Sequence, residues 1–437
     1  MQYSTFAAID IGSYDVILEI FEISKKQGIR SVDKICHRME LGKDTYTLGK
    51  IRPEMEEELC RVLADFVRIM EGYRVDDYRA TASSAISEAS NSLYVLGKIH
   101  QLTGLSVTVL SNSEQRFLSY KALAAMEDNF NKIIEKGTAI LDLDGGSFQI
   151  SLFDKDALVT TQNIRMGSLR IRERLAGIQS ETEHYEEMVE ELIWNEVSSF
   201  KKMYLKDRKI ENIMLIGDVF TDSVYQNIEE KTTKIISREN FNTWYEKIIR
   251  QSPMELAVKL GIPLENASLM YPSAVIYKCL IDMMGAEHIW IPGVHMTRGI
   301  AYEYAEQMKL LKGGHNFEND ILMAAKNIGK RYAVNRPHVQ NLEMTALAMF
   351  DATKKMHGMK ERERLLLQMA VMLHDVGKYI SFNNVADSSY NIIMSNEIIG
   401  LSHIEREMVA LIARYNTVTL PSYDELVMES SLSAEQY

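Results

Sequence analysis

Apolar and polar positions alternate in two separate stretches of the chain, each broken by a short glycine-serine turn. "FAAIDIGSYDVILEIFEI", Phe6 to Ile23, is rich in β-formers and interrupted at Gly12 and Ser13, which predicts two strands joined by a tight turn. "TAILDLDGGSFQISLFD", Thr138 to Asp154, repeats that strand, turn and strand. Between them the period changes. In "EMEEELCRVLADFVRIMEGYR", Leu59, Val62, Leu63, Phe66, Val67 and Met70 share one helical face. "YRATASSAISEASN" and "LSVTVLSNSEQRFLSYKALAAM" each read as strand, turn and helix, with Ser111 or Ser113 available as a cap. Two β-rich openings with helices after each predict a duplicated α/β domain with a cleft between its halves.

From about Lys312 the pattern is helical throughout, and Gly313 and Gly314 in "LKGGHNFEND" mark the junction. The expected division is 1–125 and 126–312 for the two α/β halves and 313–437 for an all-helical domain. "RERLLLQMAVMLHDVGKYI" places Leu366, Met369, Ala370 and Leu373 on a core-facing stripe that ends at His374 and Asp375. The acidic run from Glu181 to Glu196, with Tyr185, Met188, Val189 and Leu192 at helical spacing, reads as a solvated amphipathic helix.

Composition narrows the function. The chain has 437 residues, 46% of them hydrophobic, and only seven prolines, which suits closely packed domains without long linkers. A net charge of −12 with scattered Lys and Arg argues against specific nucleic-acid binding. Anionic ligands stay open, because backbone amides and helix N-termini bind phosphate in acidic proteins. Cys36, Cys60 and Cys279 are too dispersed for a disulfide framework or a zinc site. The longest apolar stretch, Leu365 to Leu373, is too short to span a bilayer, so the chain reads as cytoplasmic and free of the membrane.

The strand-end acids carry the first candidate chemistry. Asp10 with Gly12 and Ser13, and Asp142 with Gly145, Gly146 and Ser147, have the form of a carboxylate that holds Mg²⁺, directly or through water, beside turn amides that take phosphate oxygens. In this order the motifs resemble the exopolyphosphatase and guanosine pentaphosphate phosphohydrolase (Ppx/GppA) family. "AAIDIGSYD" and "LDLDGGSFQI" look like its two phosphate loops, "ATASSAISEASN" like its Thr-Ser-Ala segment, and "LSNSEQRFLSY" like its glutamate helix. "RMGSLRI" and "IPGVHMTRGIAYEY" look like later landmarks, and the tail with "MLHDVGKYI" like an HD-type domain.

The resemblance implies an actin-like, ribonuclease H-like duplicated ATPase fold followed by an all-α HD-type domain. It also implies Mg²⁺-assisted release of terminal phosphate from polyphosphate or pppGpp, with homodimerisation as a family expectation. Several positions depart from the family pattern. Where the glutamate helix reads Ser-Gly-x-Glu-Glu-Ala, this chain has S-N-S-E-Q-R, so Glu114 matches the first glutamate and Gln115 replaces the second, the implied base. In the second loop Asp144 stands for a glycine and Gln149 for a glutamate, while Ser87 replaces an arginine. A glutamine amide is not appreciably basic, and Asp144 brings negative charge to a phosphate loop and removes glycine's access to positive φ. Glu114 is then the first candidate for the base and Asp144 the second, with Asp15 another relocated carboxylate. The alternatives are a cleft that binds polyphosphate or nucleotide without turnover, or phosphohydrolase activity in the helical tail. There His338, His374 and Asp375 could ligate a metal. A hydrogen-bonded His374–Asp375 pair closing the helix is the simpler reading, without a second metal.

Overall fold

The computed structural model describes residues 4–126, 130–155, 157–176, 185–227, 234–311 and 315–437. The chain divides into two compact units, Met1–Asp156 with Gln162–His315, and Asn316–Tyr437 with Ala157–Thr161. The Gly313–Gly314 junction and residues 181–184 of the acidic run lie outside the described residues. Among the described residues no helix is long and apolar enough to cross a membrane.

Two mixed sheets organise the first unit. One has five strands, β1 (Ser4–Ile11), β2 (Asp15–Ser24), β3 (Gly28–Arg38), β4 (Asp77–Ala82) and β5 (Val107–Val109), in the order β3-β2-β1-β4-β5. The other comprises β6 (Thr138–Leu143), β7 (Phe148–Asp154), β8 (Ala157–Ile164), β9 (Asn212–Gly217), β10 (Ile235–Ser237) and β11 (His288–Trp290), ordered β10-β11-β9-β6-β7-β8; of β8 only the end from Gln162 groups with the first unit. In each, the leading strand pairs antiparallel with its hairpin partner and parallel with a later strand: β1 with β2 and β4, β6 with β7 and β9. The duplication read from the sequence is thus a duplication of topology, an actin-like α/β fold followed by a helical part.

Strand β1 is buried on both faces, as the central position of a sheet covered by helices requires. Ala7, Ile9 and Ile11 enter one apolar cluster with Leu59, Leu63 and Phe66 of the helix Pro53–Gly72. Phe6 and Ala8 enter another with Leu118 of the helix Asn112–Met126 and Ile300 of the helix Met296–Gln307. By alternation Asp10 falls on the Phe6 and Ala8 face, at the carboxyl end of the strand. Each fully buried large apolar side chain contributes about 1.5–3 kcal/mol, so the two clusters can hold a half-buried strand-end carboxylate whose Oδ1 is buried. The helix Met296–Gln307 returns from late in the chain to pack on the helix Asn112–Met126 and on β1. Gly299 permits that approach, since a Cβ there would meet the Leu118 carbonyl well inside contact distance.

The second unit is built from the helices Phe317–Arg331, Arg336–His357, Glu361–Leu373, Val385–Ser395 and His403–Arg414. Leu366, Met369, Ala370 and Leu373 are all nearly or completely buried, as their spacing predicted.

Candidate active site in the cleft of the first unit

The acids at the carboxyl ends of β1 and β6, next to the two hairpin turns, line one cleft. In the first turn the Gly12 amide donates to the Asp15 carbonyl (2.8 Å); in the second, the Asp144 amide donates to the Ser147 carbonyl (2.9 Å). The turns nearly touch, and a Cβ on Gly145 would lie 3.3 Å from that of Ser13. Tyr46 lies between them. Its hydroxyl shares hydrogen bonds with Ser13 (2.8 Å) and Ser84 (2.9 Å), and the Arg170 guanidinium lies 3.8 Å from its ring centroid while Nε donates to the Gly146 carbonyl (2.9 Å). Gly146 is needed for this packing, since a Cβ would run into Tyr46 and lie 2.7 Å from Ser84 Oγ. No positive φ is required: Asp144, Gly145 and Gly146 all lie outside the left-handed region, so an aspartate fits the turn without strain.

The cleft has a volume of about 420 Å³ and is strongly acidic. Asp10, Asp15, Asp142, Asp144, Asp218 and Asp222 line it, against Lys34, Arg38 and Arg116. Burial pushes the Asp10 carboxyl well above the usual range, and Asp15 and Asp144 push the same way. Asp142 is raised by burial and partly relieved by Arg116 and Ser119. Burial lifts Asp15 to about 6 and Asp218 to about 7.

The residues expected from sequence divide into those at the cleft and those behind it. Asp10, Gly12, Asp142, Asp144 and Gly145 line it; Ser13, Gly146 and Ser147 do not. Glu114 does not either, because its carboxylate closes a capping box, accepting from the Ser111 amide (2.9 Å) and hydroxyl (2.8 Å). Gln115 does line the cleft, whereas Gln149 is 2% exposed beside Asp142 in the ladder, its Nε2 without a partner. Arg116, Lys34 and Asp218 are functional candidates that motif reading passed over. Arg116 left a trace: a charged residue stands where the glutamate-helix pattern has alanine.

Asp10 Oδ1 and Asp142 Oδ2 are buried carboxylate oxygens without a hydrogen-bond partner. This donor set fits a hard divalent cation such as Mg²⁺, which takes one or two carboxylates and completes its shell with water and phosphate oxygens. Among the described residues, the one group of three metal-ligating side chains with ligand atoms within 4.8 Å of one another is His338, His374 and Asp375, in the second unit. There His374 Nδ1 lies 2.7 Å from the Val371 carbonyl, which can only accept, so Nδ1 carries the proton. In neutral His374 the Nε2 lone pair then lies 3.4 Å from Asp375 Oδ2, which Lys378 holds at 2.6 Å.

Comparisons with known proteins agree with this architecture. A model described as the Ppx/GppA phosphatase family matches residues 20–308, and one described as Ppx/GppA phosphatase, domain III, matches 322–432. A bifunctional 3-dehydroquinate synthase/phosphatase of Fusobacterium nucleatum is 21% identical over 310 residues, covering 65% of this chain; the chain spans only 44% of that protein's length. A guanosine-5'-triphosphate,3'-diphosphate pyrophosphatase of Vibrio atlanticus is 18% identical over 438 residues, 99% of this chain and 84% of its own. Among solved structures, an exopolyphosphatase from Cytophaga hutchinsonii aligns with a TM-score of 0.62 at 17% identity, over 70% of this chain and 98% of its own. The Aquifex aeolicus Ppx/GppA protein gives 0.58 at 18%, over 70% and 99%. At these identities the structures establish the fold.

The buried charge at Asp218 gives a pH signature. Its folded value of about 7 lies above the ordinary carboxylate value, so ionising it costs stability that accrues as pH rises between the two. Asp218→Asn keeps an oxygen to accept from the Thr221 amide (3.3 Å) and the Tyr277 hydroxyl (3.4 Å). Thermal midpoints should show the variant above the wild type by a few degrees at about pH 8, with the gap closing towards about pH 4. A gap independent of pH would contradict the assignment.

Proposed function

Because the chain belongs to the Ppx/GppA phosphatase family, we propose that its cleft hydrolyses the terminal phosphoanhydride bond of inorganic polyphosphate or of guanosine pentaphosphate with Mg²⁺. One observation carries this reading. The two strand-end carboxylates, Asp10 and Asp142, face a common cleft beside the phosphate-loop turns, each with a buried oxygen that has no partner. Asp10 and Asp142 would hold Mg²⁺, directly or through water, and the ion would offset the charge of the phosphate oxygens.

The turns at Gly12 and Gly145 bound the space for the terminal phosphate. A water attacks its phosphorus, the bond to the bridging oxygen breaks, and orthophosphate and the shortened chain leave. The water's proton needs an acceptor within reach. Gln115 cannot take it, and Glu114 is spent on its helix cap. Asp144 is the better base, a carboxylate on the cleft wall in the turn that receives the phosphate.

A second reading has its own observation. The facing lone pair of His374, the Asp375 carboxylate and the nearby His338 form a ligand set for a transition metal. This would make the second unit a metal centre independent of the cleft.

Purified wild-type protein with Mg²⁺ should release orthophosphate from long-chain polyphosphate or pppGpp, and Asp142→Ala should lower the rate by roughly a hundredfold or more while the chain stays folded. No release from either substrate by the folded wild type would overturn the reading. For the second unit, elemental analysis of the full chain purified without chelator should find about one transition-metal equivalent that His338→Ala loses. Equal metal content in both would remove that centre.

A further inference from the structure

The turn acid Asp144 and the helix cation Arg116 are surplus to a site made of a metal ion, a phosphate cradle and two strand-end carboxylates. Both are already engaged, at places where ligands of such a site would bind. Asp144 Oδ1 accepts from the Gly145 amide at 2.6 Å, so its carboxylate sits on a loop N–H that a substrate oxyanion would otherwise use. Arg116 is 4% exposed. Its Nη1 donates to Asp142 Oδ1 (3.1 Å) and its Nη2 to Ser147 Oγ (3.1 Å), which sets a fixed positive charge on the carboxylate a divalent ion would take. The two side chains face each other as an ion pair at 3.9 Å, and Arg116 Nε remains buried without a partner.

We propose that Arg116 and Asp144 form a resident cation–carboxylate pair that occupies the metal and phosphate positions of the cleft and must be displaced when a divalent cation and a phosphoanhydride chain bind. The idea deepens the hydrolase reading and rests on it for the identity of the ligands. Each half of the pair opposes one ligand and favours the other. The guanidinium repels a divalent ion at Asp142 but attracts phosphate, while the Asp144 carboxylate repels phosphate and competes for the Gly145 amide. A chain of several phosphates carrying its own cation can replace both partners at once. Orthophosphate, a single small anion, cannot, so the cleft favours substrate over product. Asp144, once displaced, is a free carboxylate beside the reacting phosphate, consistent with its role as proton acceptor.

Calorimetric binding to the full chain tests this with two separate probes, Mn²⁺ alone and inorganic tripolyphosphate without metal. Arg116→Ala should bind Mn²⁺ roughly tenfold more tightly and tripolyphosphate more weakly; Asp144→Gly should bind tripolyphosphate roughly tenfold more tightly without gaining Mn²⁺ affinity. Arg116→Gln, a neutral donor towards Asp142, replaces the alanine variant if that one does not fold. Affinities that stay unchanged, or that move in the same direction for both ligands, overturn the pair. Phosphate release by the same wild-type preparation keeps this separate from the hydrolase reading. A crossed binding pattern without release leaves the pair standing and removes the hydrolase, and release with an uncrossed pattern does the reverse.

Discussion

Two strand-end carboxylates, Asp142 buried and Asp10 half-buried with one buried oxygen, dominate the first unit. Asp10 and Asp142 sit where β1 and β6 stop, on strands whose other side chains are packed almost completely. A charge in that position is costly unless something answers it. Arg116 answers one oxygen of Asp142; the orphan oxygens of Asp10 and Asp142 are left over. The cleft therefore carries carboxylate oxygens without partners, and that is what suits it to a cation.

The polar groups nearby are partly balanced in charge. Asp144 adds negative charge to the second turn, and Arg116 faces it at 3.9 Å. Gln115 and Gln149 are uncharged at pH 7. Arg116 and Asp144 answer each other while the Asp10 and Asp142 oxygens stay without partners, and Tyr46 and Arg170 pack the two turns together.

The fold was legible because duplication repeats a rhythm that periodicity detects: two hairpins, each with an acid before a glycine-serine turn and a parallel strand later. The core stripe ending at Leu373 was legible for the same reason. Residue roles at the site were harder. Glu114 matches a motif, yet its carboxylate reaches back to Ser111, a local choice that sequence spacing alone allows equally well. Ser13, Gly146 and Ser147 belong to the turns but face inward to Tyr46, Ser84 and Arg116, contacts between segments far apart in the chain. Arg116 lies on the motif helix at a position the pattern gives to alanine, and Asp218 directly follows β9, where motif reading picked out no acid. His338, His374 and Asp375 were named from sequence, but only the Nδ1 contact of His374 to Val371 fixes which nitrogen is free.

The most direct test is a crystal structure of the full chain with tripolyphosphate and Mn²⁺, the metal located by its anomalous signal. A manganese ion should lie near Asp10 and Asp142, with a phosphate against the Gly145 amide and Asp144 turned away from it. Phosphate and metal found outside this cleft, with the Asp144–Gly145 and Arg116–Asp142 contacts intact, would contradict this placement.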